Sequence, residues 1–367
     1  MSVTCKHIMQ AMECLAPQNL AEEWDSVGLM VGNPDRQVRN VWTTLDVTLE
    51  LVEAAVEAKV DMIVSHHPLI FKAIKRLDTS TVSGKIMEKL MQGNIAVFSA
   101  HTNLDCAVGG VNDILAQMLH LQDIQLLTVN RSEKLVKFVV FVPKDYEQVV
   151  FAAITKAGAG HIGRYSHCTF ASSGTGTFLP LEDTHPFIGR QGSLARVDEM
   201  RMETILPERL IIPVLEAMHA VHPYEEVAYD LYPLYNQLQT TGLGRIGTIQ
   251  PVSLRNFSQQ VKQLLHTDVV SMVGRSDQMI HTVAVCGGSG ADLIKQAKKN
   301  GADVFVTGDV KYHDALDAAA LDLAIIDAGH YPTEQPVVAR LSQYLSEKFP
   351  LLEVKSNISQ KNIFQLC

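Results

Sequence analysis

The chain lacks what several common function classes require. Its six cysteines, at positions 5, 14, 106, 168, 286 and 367, include no C-x-x-C pair. That scatter argues against a thiolate zinc site and against a disulfide framework. It fits buried or inert thiols in a reducing compartment, and so a cytoplasmic location. No apolar run approaches the roughly 18 residues of a membrane span. The opening MSVTCKHIMQAMECL has neither the apolar stretch nor the small-residue cleavage site of a secretory leader. Cations are in the minority, with 31 Lys and Arg against 40 Asp and Glu and a net charge of −9. Nucleic-acid grooves need clustered Lys and Arg, so nucleic acid is not the expected partner. One small phosphorylated molecule in a local pocket stays open. What is abundant is apolar: 47% of 367 residues are hydrophobic, enough for two or three domain cores.

Both ends of the chain alternate strands and helices. Val41–Leu45 reads as a strand, Leu49–Lys59 as a helix, Asp61–Val64 as a buried strand, Ile86–Met91 as a helix and Ile95–Phe98 as a strand. The C-terminal end repeats this, with strands at His281–Val285, Asp303–Val306 and Leu323–Ile326 and helices at Ala291–Asn300, Asp314–Ala320 and Pro336–Lys348. The rhythm predicts an α/β fold of mostly parallel sheets covered by helices. A shift of 242 positions lays Asp61 on Asp303, Val64 on Val306 and His67 on Asp309; a shift of 229 lays His101 on His330 and Asp105 on Glu334. The two ends therefore read as a duplication. Residues 1–125 and 246–367 form the expected α/β domain. Residues 126–245 read strand, helix, strand, strand, helix, strand, the βαββαβ order of a ferredoxin-like insert. Its middle strands are joined by an expected turn-rich loop carrying Gly174, Gly176, Pro180, Pro186, Gly189 and Gly192, and Pro213 is expected at the start of its second helix.

The chemistry is in the histidines. His66 and His67 follow a predicted strand directly, and Pro68 stops its continuation. His101 and Asp105 follow the next strand, and His330 and Glu334 follow the last. In parallel sheets ligands bind beyond the carboxyl ends of strands, so all six are expected at one edge of one sheet. Each piece alone is weak, since a surface His-His or a chance His-x3-acid is common. Three pieces at strand ends point together to a metal site. Imidazole with carboxylate suits zinc, iron or manganese, and the set is large enough for two ions with a carboxylate such as Glu334 between them. His313 is a possible supporting or substrate contact. Cys106 reads as a packed thiol rather than a nucleophile. The GGSG run at 287–290 reads as a tight turn, with a phosphate cradle as its alternative.

SHHPLIF (65–71), AHTNLD (100–105), GGVND (109–113), TGDVKYHDALDA (307–318) and DAGHYPTE (327–334) resemble, in order, the motifs of the Nif-three-like family, whose members are also called GTP cyclohydrolase 1 type 2 homologues. AEEWDSVGL (21–29) fits as well, with Ser26 where the family usually has Asn. The resemblance covers essentially the whole chain. It implies two divalent metal ions per subunit, with ligands at His66, His67, Asp105, His330 and Glu334 and with His101 beside them. It also implies that the middle segment is a PII-like or CutA-like insert, on the stretches GAGHIGRYSHCTF (158–170) and HPYEEVAYDLYPL (222–234), and that the protein is a toroidal homohexamer. The expected function is hydrolysis of a small substrate, a nucleotide or pterin-related heterocycle, with His101 as proton shuttle. The alternative is a non-catalytic metal or small-molecule sensor.

Overall fold

The computed structural model describes residues 2–129, 131–163, 165–356 and 361–364. The chain divides into two compact units, one of Met1–Arg131 with Thr241–Cys367 and one of Ser132–Thr240. The first unit opens with α1 (Cys5–Leu15), β1 (Gly28–Val31), β2 (Asn40–Thr44), α2 (Leu49–Glu57), β3 (Met62–Ser65), α3 (Val82–Gln92), β4 (Ala96–Ser99), α4 (Thr102–Cys106), α5 (Val111–Met118) and β5 (Gln122–Leu126). The second unit contains β6 (Arg131–Pro143), α6 (Glu147–Lys156), β7 (Thr169–Phe178), β8 (Ala195–Pro207), α7 (Ile211–His219) and β9 (Tyr229–Thr241). The first unit resumes with β10 (Arg245–Ser253), α8 (Leu254–Leu264), β11 (Ser271–Val273), β12 (Met279–Ser289), α9 (Ile294–Lys299), β13 (Val304–Gly308), α10 (Tyr312–Ala320), β14 (Ala324–Asp327), α11 (His330–Glu334), α12 (Pro336–Lys348) and β15 (Glu353–Ser356).

The first unit holds two sheets, ordered β1-β4-β3-β2-β15 and β11-β14-β13-β12-β10-β5. Each has a parallel centre whose strands are buried on both faces, as continuous apolar runs such as Met62–Ser65 require. Alternate side chains feed opposite cores. Val64 and Phe98 pack with α1 and α12 residues such as Ile8, Met12 and Leu341, while Ile63 and Val97 pack with Val52 and Leu90 of α2 and α3. In the second sheet Val304 and Val306 face Phe257 and Val261 of α8, and Phe305 faces Ile294 and Ala297 of α9. The mostly parallel expectation holds for the first sheet and fails for the second, where β11, β10 and β5 all pair antiparallel. The chain leaves the first unit along β5 and re-enters along β10, and strands used that way run in opposite directions side by side. For the same reason the second unit is narrower than residues 126–245.

The two sheets repeat each other's pairings. Val41 pairs with Met62, and Val283 with Val304, at a shift of 242. Lys59 and Gly301, at the same shift, both take a left-handed backbone just before β3 and β13, as do Gly32 and Gly274 just after β1 and β11. The carboxylates obey the same rule. Asp61 Oδ2 accepts from the amides of Arg39 and Asn40 at 2.8 and 3.0 Å; Asp303 Oδ2 accepts from those of His281 and Thr282, both at 2.8 Å.

The second unit is a four-stranded sheet ordered β7-β8-β6-β9, with α6 and α7 packed through Val150, Ile154, Val214 and Met218 onto Phe138, Val140 and Met202. Gly174 and Gly176 lie within β7 rather than in the loop. Pro213 is the third residue of α7, inside the first turn, where its missing N–H breaks no helical bond. Among the described residues, no helix is long and apolar enough to cross a membrane. Cys14 is exposed, whereas Cys5, Cys106 and Cys286 are buried, and all four are free.

The paired amides at Asp303 generate a stability test. Asp303→Ala leaves two strand amides without their acceptor and is expected to cost about 1–3 kcal/mol, measured by chemical denaturation. Because both amides use one oxygen, Asp303→Asn can keep them on its amide oxygen and should lose less.

Candidate metal centre

The six candidate residues come together, but from two sheets rather than one edge. His66 and His67 extend β3, their amides bonded to the Thr44 and Leu45 carbonyls at 3.1 and 2.9 Å. His101 caps α4, the short helix after β4 that carries Asp105. His330 and Glu334 sit one turn apart on α11, after β14 of the second sheet. Three sets of potential ligand atoms result: His66, His67 and His101; His67, His330 and Glu334; and His66, Asp105 and Glu334. These groups could hold a metal ion. His313 is exposed on α10 and is not among them.

Every imidazole is pinned from behind through Nδ1. His66 Nδ1 lies 2.9 Å from the Ala100 carbonyl, which can only accept, so Nδ1 carries the proton. Carboxylates take the same part for the others: Asp46 for His67 at 2.7 Å, Asp25 for His101 at 2.9 Å and Asp309 for His330 at 2.7 Å. Such partners behind a ligating ring set its tautomer and aim. The Nε2 lone pairs then converge on carboxylate oxygens. His67 and His330 Nε2 lie 2.9 and 3.0 Å from Glu334 Oε2, and 3.4 Å from each other. His66 Nε2 lies 3.6 Å from Asp105 Oδ1 and 3.7 Å from Glu334 Oε1, beyond hydrogen-bond distance. His66 Nε2 and Asp105 Oδ1 are both buried without a hydrogen-bond partner among the described residues. Lone pairs aimed at lone pairs in a buried site repel unless something positive lies between them. This donor set therefore fits a divalent ion.

The backbone makes room for this. Gly288 takes a left-handed φ of +63°, and a Cβ there would overlap Glu334 Oε1. The GGSG run is neither the expected tight turn nor a phosphate cradle: Gly287, Gly288 and Ser289 end β12, and three of its amides are already taken, Gly287 donating to Asn112, Gly288 to Thr333 and Gly290 to Thr307. Asn112 also donates to the Asp105 carbonyl at 3.0 Å, and so ties α4 to β12 across the site. Cys106 is buried, as a packed thiol. Sequence reasoning assigned no role to Asp25, Asp46 or Asp309. Asp25 lay in the AEEWDSVGL motif and Asp309 was the positional counterpart of His67, so both carried a signal. Asp46 carried only its place at the end of β2.

Charges follow the geometry. Burial alone would lower His67, but the Asp46 and Glu334 carboxylates at its two nitrogens outweigh it and lift it to about 10. The bond with Glu334, helped by Asp309, lifts His330 to about 9 against burial. Burial lifts Asp105 to about 6. Burial pushes Glu334 up as well, but the surrounding histidines win and hold it well below the usual carboxylate range. Burial likewise opposes ionisation of Asp25, yet bonds from His101 and Thr102 bring it down to about 2. In metal-stripped protein, protons on His67 and His330 thus do the work of a cation. A raised histidine stabilises fully below its unfolded value of about 6.5 and loses that contribution as pH rises through the folded value. The melting temperature of chelator-stripped protein is therefore expected to fall as pH rises from about 7 through the values of about 9 and 10. Metal loading near neutral pH should release protons, read by calorimetry in buffers of different ionisation enthalpy. A flat stability profile and no proton release would contradict this account.

Comparison with known proteins agrees with the architecture. The Duf34/NIF3 family (NGG1p interacting factor 3) matches residues 3–362. A Bacillus subtilis protein named GTP cyclohydrolase 1 type 2 homolog is 44% identical over 351 residues, covering 95% of this chain and 94% of its own. A Mycobacterium tuberculosis protein of the same name is 36% identical, covering 95% and 93%. Among solved structures, a Bacillus cereus protein related to NIF3 superposes with a TM-score of 0.87 at 43% identity, covering 100% of both chains. The chain belongs to the Duf34/NIF3 family.

Proposed function

We propose that the protein is a dinuclear metal-dependent hydrolase of a small substrate carrying a planar heterocycle, of the nucleotide or pterin kind. The observation that carries this reading is the division of labour at Glu334. Its Oε2 faces His67 and His330, while its Oε1 faces His66 beside Asp105. Two ligand sets that share one carboxylate suit two ions with Glu334 between them: His67 and His330 for one, His66 and Asp105 for the other. Such ions, zinc, iron or manganese, would supply Lewis acidity and acidify a water.

The chain's own residues supply the rest. Asp25 holds His101 through Nδ1, which leaves Nε2 on the cluster side as the atom that takes up and returns a proton. The rings of Trp24 and Phe71 stand edge-on to His101, with centroids 6.2 and 6.5 Å away, and are 60% and 48% exposed. Exposed rings beside a polar centre offer a stacking surface to a flat heterocycle, and the name carried by the relatives points to the same substrate class. The order β7-β8-β6-β9 supports reading residues 132–240 as a ferredoxin-like, PII-like insert. The resemblance supports a homohexamer. A separate unit with a pocket of its own also favours a second reading, a sensor that holds metal without turnover.

Elemental analysis after reconstitution should give about two transition-metal ions per chain. Glu334→Gln should lower both, and Asp105→Asn chiefly one. Full metal content and activity in Glu334→Gln would remove the bridging role. Metal-loaded protein that turns over nothing in a panel of nucleotides and pterins would favour the sensor. Light scattering should return the mass of a hexamer; a monomer would count against the ring.

A further inference from the structure

The second unit carries a pocket of about 330 Å³, within the range of small-molecule sites. It lies wholly within that unit. Its walls are aromatic. The rings of Phe178 and Phe187 lie 5.9 and 6.5 Å from that of Tyr224. Its polar centre is Glu199 on β8, only 9% exposed. The Tyr224 hydroxyl donates to Glu199 Oε1 at 2.9 Å, and among the described residues that is the carboxylate's one hydrogen bond. Tyr224 is itself held. Its amide donates to His222 Nδ1 at 3.2 Å, and His222 Nε2 donates to the Phe141 carbonyl at 3.0 Å. Gly176 gives the carboxylate its space, since a Cβ there would overlap Glu199 Oε2.

The charge of the pocket has one sign. Glu225 and Glu226 join Glu199 in its lining, and the described residues that line it include no Lys, Arg or His. A nearly buried carboxylate with a single phenolic partner is costly to keep unless a cation meets it. The aromatic rings that line the same space have negative faces, a feature that favours the same visitor. An anion would meet the Glu199 carboxylate, and a purely apolar ligand would leave Glu199 desolvated and half-satisfied.

We propose that this pocket binds a small organic cation, an ammonium or alkylated ammonium on an apolar body, with Glu199 as counter-ion and Phe178, Phe187 and Tyr224 as walls. The site is separate from the metal centre and does not depend on the hydrolase reading.

The test uses the full chain and three probes that share one ring: benzylammonium, benzyl alcohol and benzoate. Binding is followed by nuclear magnetic resonance titration. Benzylammonium should bind saturably, the alcohol about tenfold more weakly or worse, and benzoate most weakly. Glu199→Gln should weaken benzylammonium by about tenfold while metal content stays unchanged. If the three probes bind alike, if benzylammonium does not saturate, or if Glu199→Gln binds it unchanged, the proposal fails. Should Glu199→Gln not fold, Phe187→Ala, whose ring is half exposed, removes one wall: weaker benzylammonium binding supports the site, and unchanged binding overturns it.

Discussion

The constraint on which the first unit turns is the repulsion at Glu334. Two imidazole lone pairs and one carboxylate oxygen meet within 3.4 Å of one another, and a third imidazole, that of His66, faces the other Glu334 oxygen at 3.7 Å and the Asp105 carboxylate at 3.6 Å. Nothing about that arrangement is stable by itself. It persists because every ring is fastened from the rear, by a carbonyl or a carboxylate, and because Gly288, having no Cβ, leaves Glu334 Oε1 its place. The site is a charge trap whose walls are set by the fold, and protons or metal ions supply the missing positive charge.

The repetition of the two sheets explains how such a trap is assembled. Equivalent positions serve the same end where only structure is at stake, as Asp61 and Asp303 do for the strand amides beside them. At the carboxyl ends of the strands the roles part. His67 faces Glu334, whereas its counterpart Asp309 stands behind His330 and holds its Nδ1. His101 with Asp105 and His330 with Glu334 are the same His-x3-acid step on short helices after β4 and β14. Of the two acids, Glu334 is long enough to reach both histidine sets. Two similar halves facing each other thus yield an unsymmetrical centre.

The second unit follows a different logic. Its sheet and two helices close a core of their own, and its pocket pairs an acidic centre with aromatic walls. Small features serve that pocket in a way composition does not reveal. Gly176 stands in β7 where a Cβ would overlap the Glu199 carboxylate, and His222 is used as a brace for Tyr224.

Much of the first unit was legible in the linear chain, because a strand buried on both faces has to be a short apolar run and a helix over it has to be periodic. Asp61–Val64, Asp303–Val306 and Pro336–Lys348 fall where those patterns put them. Histidines directly after such runs announce a site, because strand ends are where a parallel sheet opens. The chain alone did not determine which strands join which sheet. β10, β5 and β11 pair antiparallel through partners far away in sequence, and no local pattern encodes a distant edge. Nor did it determine the carboxylates behind the rings. Asp25 and His101 are 76 positions apart, and His67 and Glu334 are 267 apart. The first distance is set when β1 pairs with β4 within one sheet, and the second only when the two sheets close on one another. Residue type and strand ends name the donors, while the tautomer, the aim of each ring and the pairing with Glu334 are products of tertiary packing.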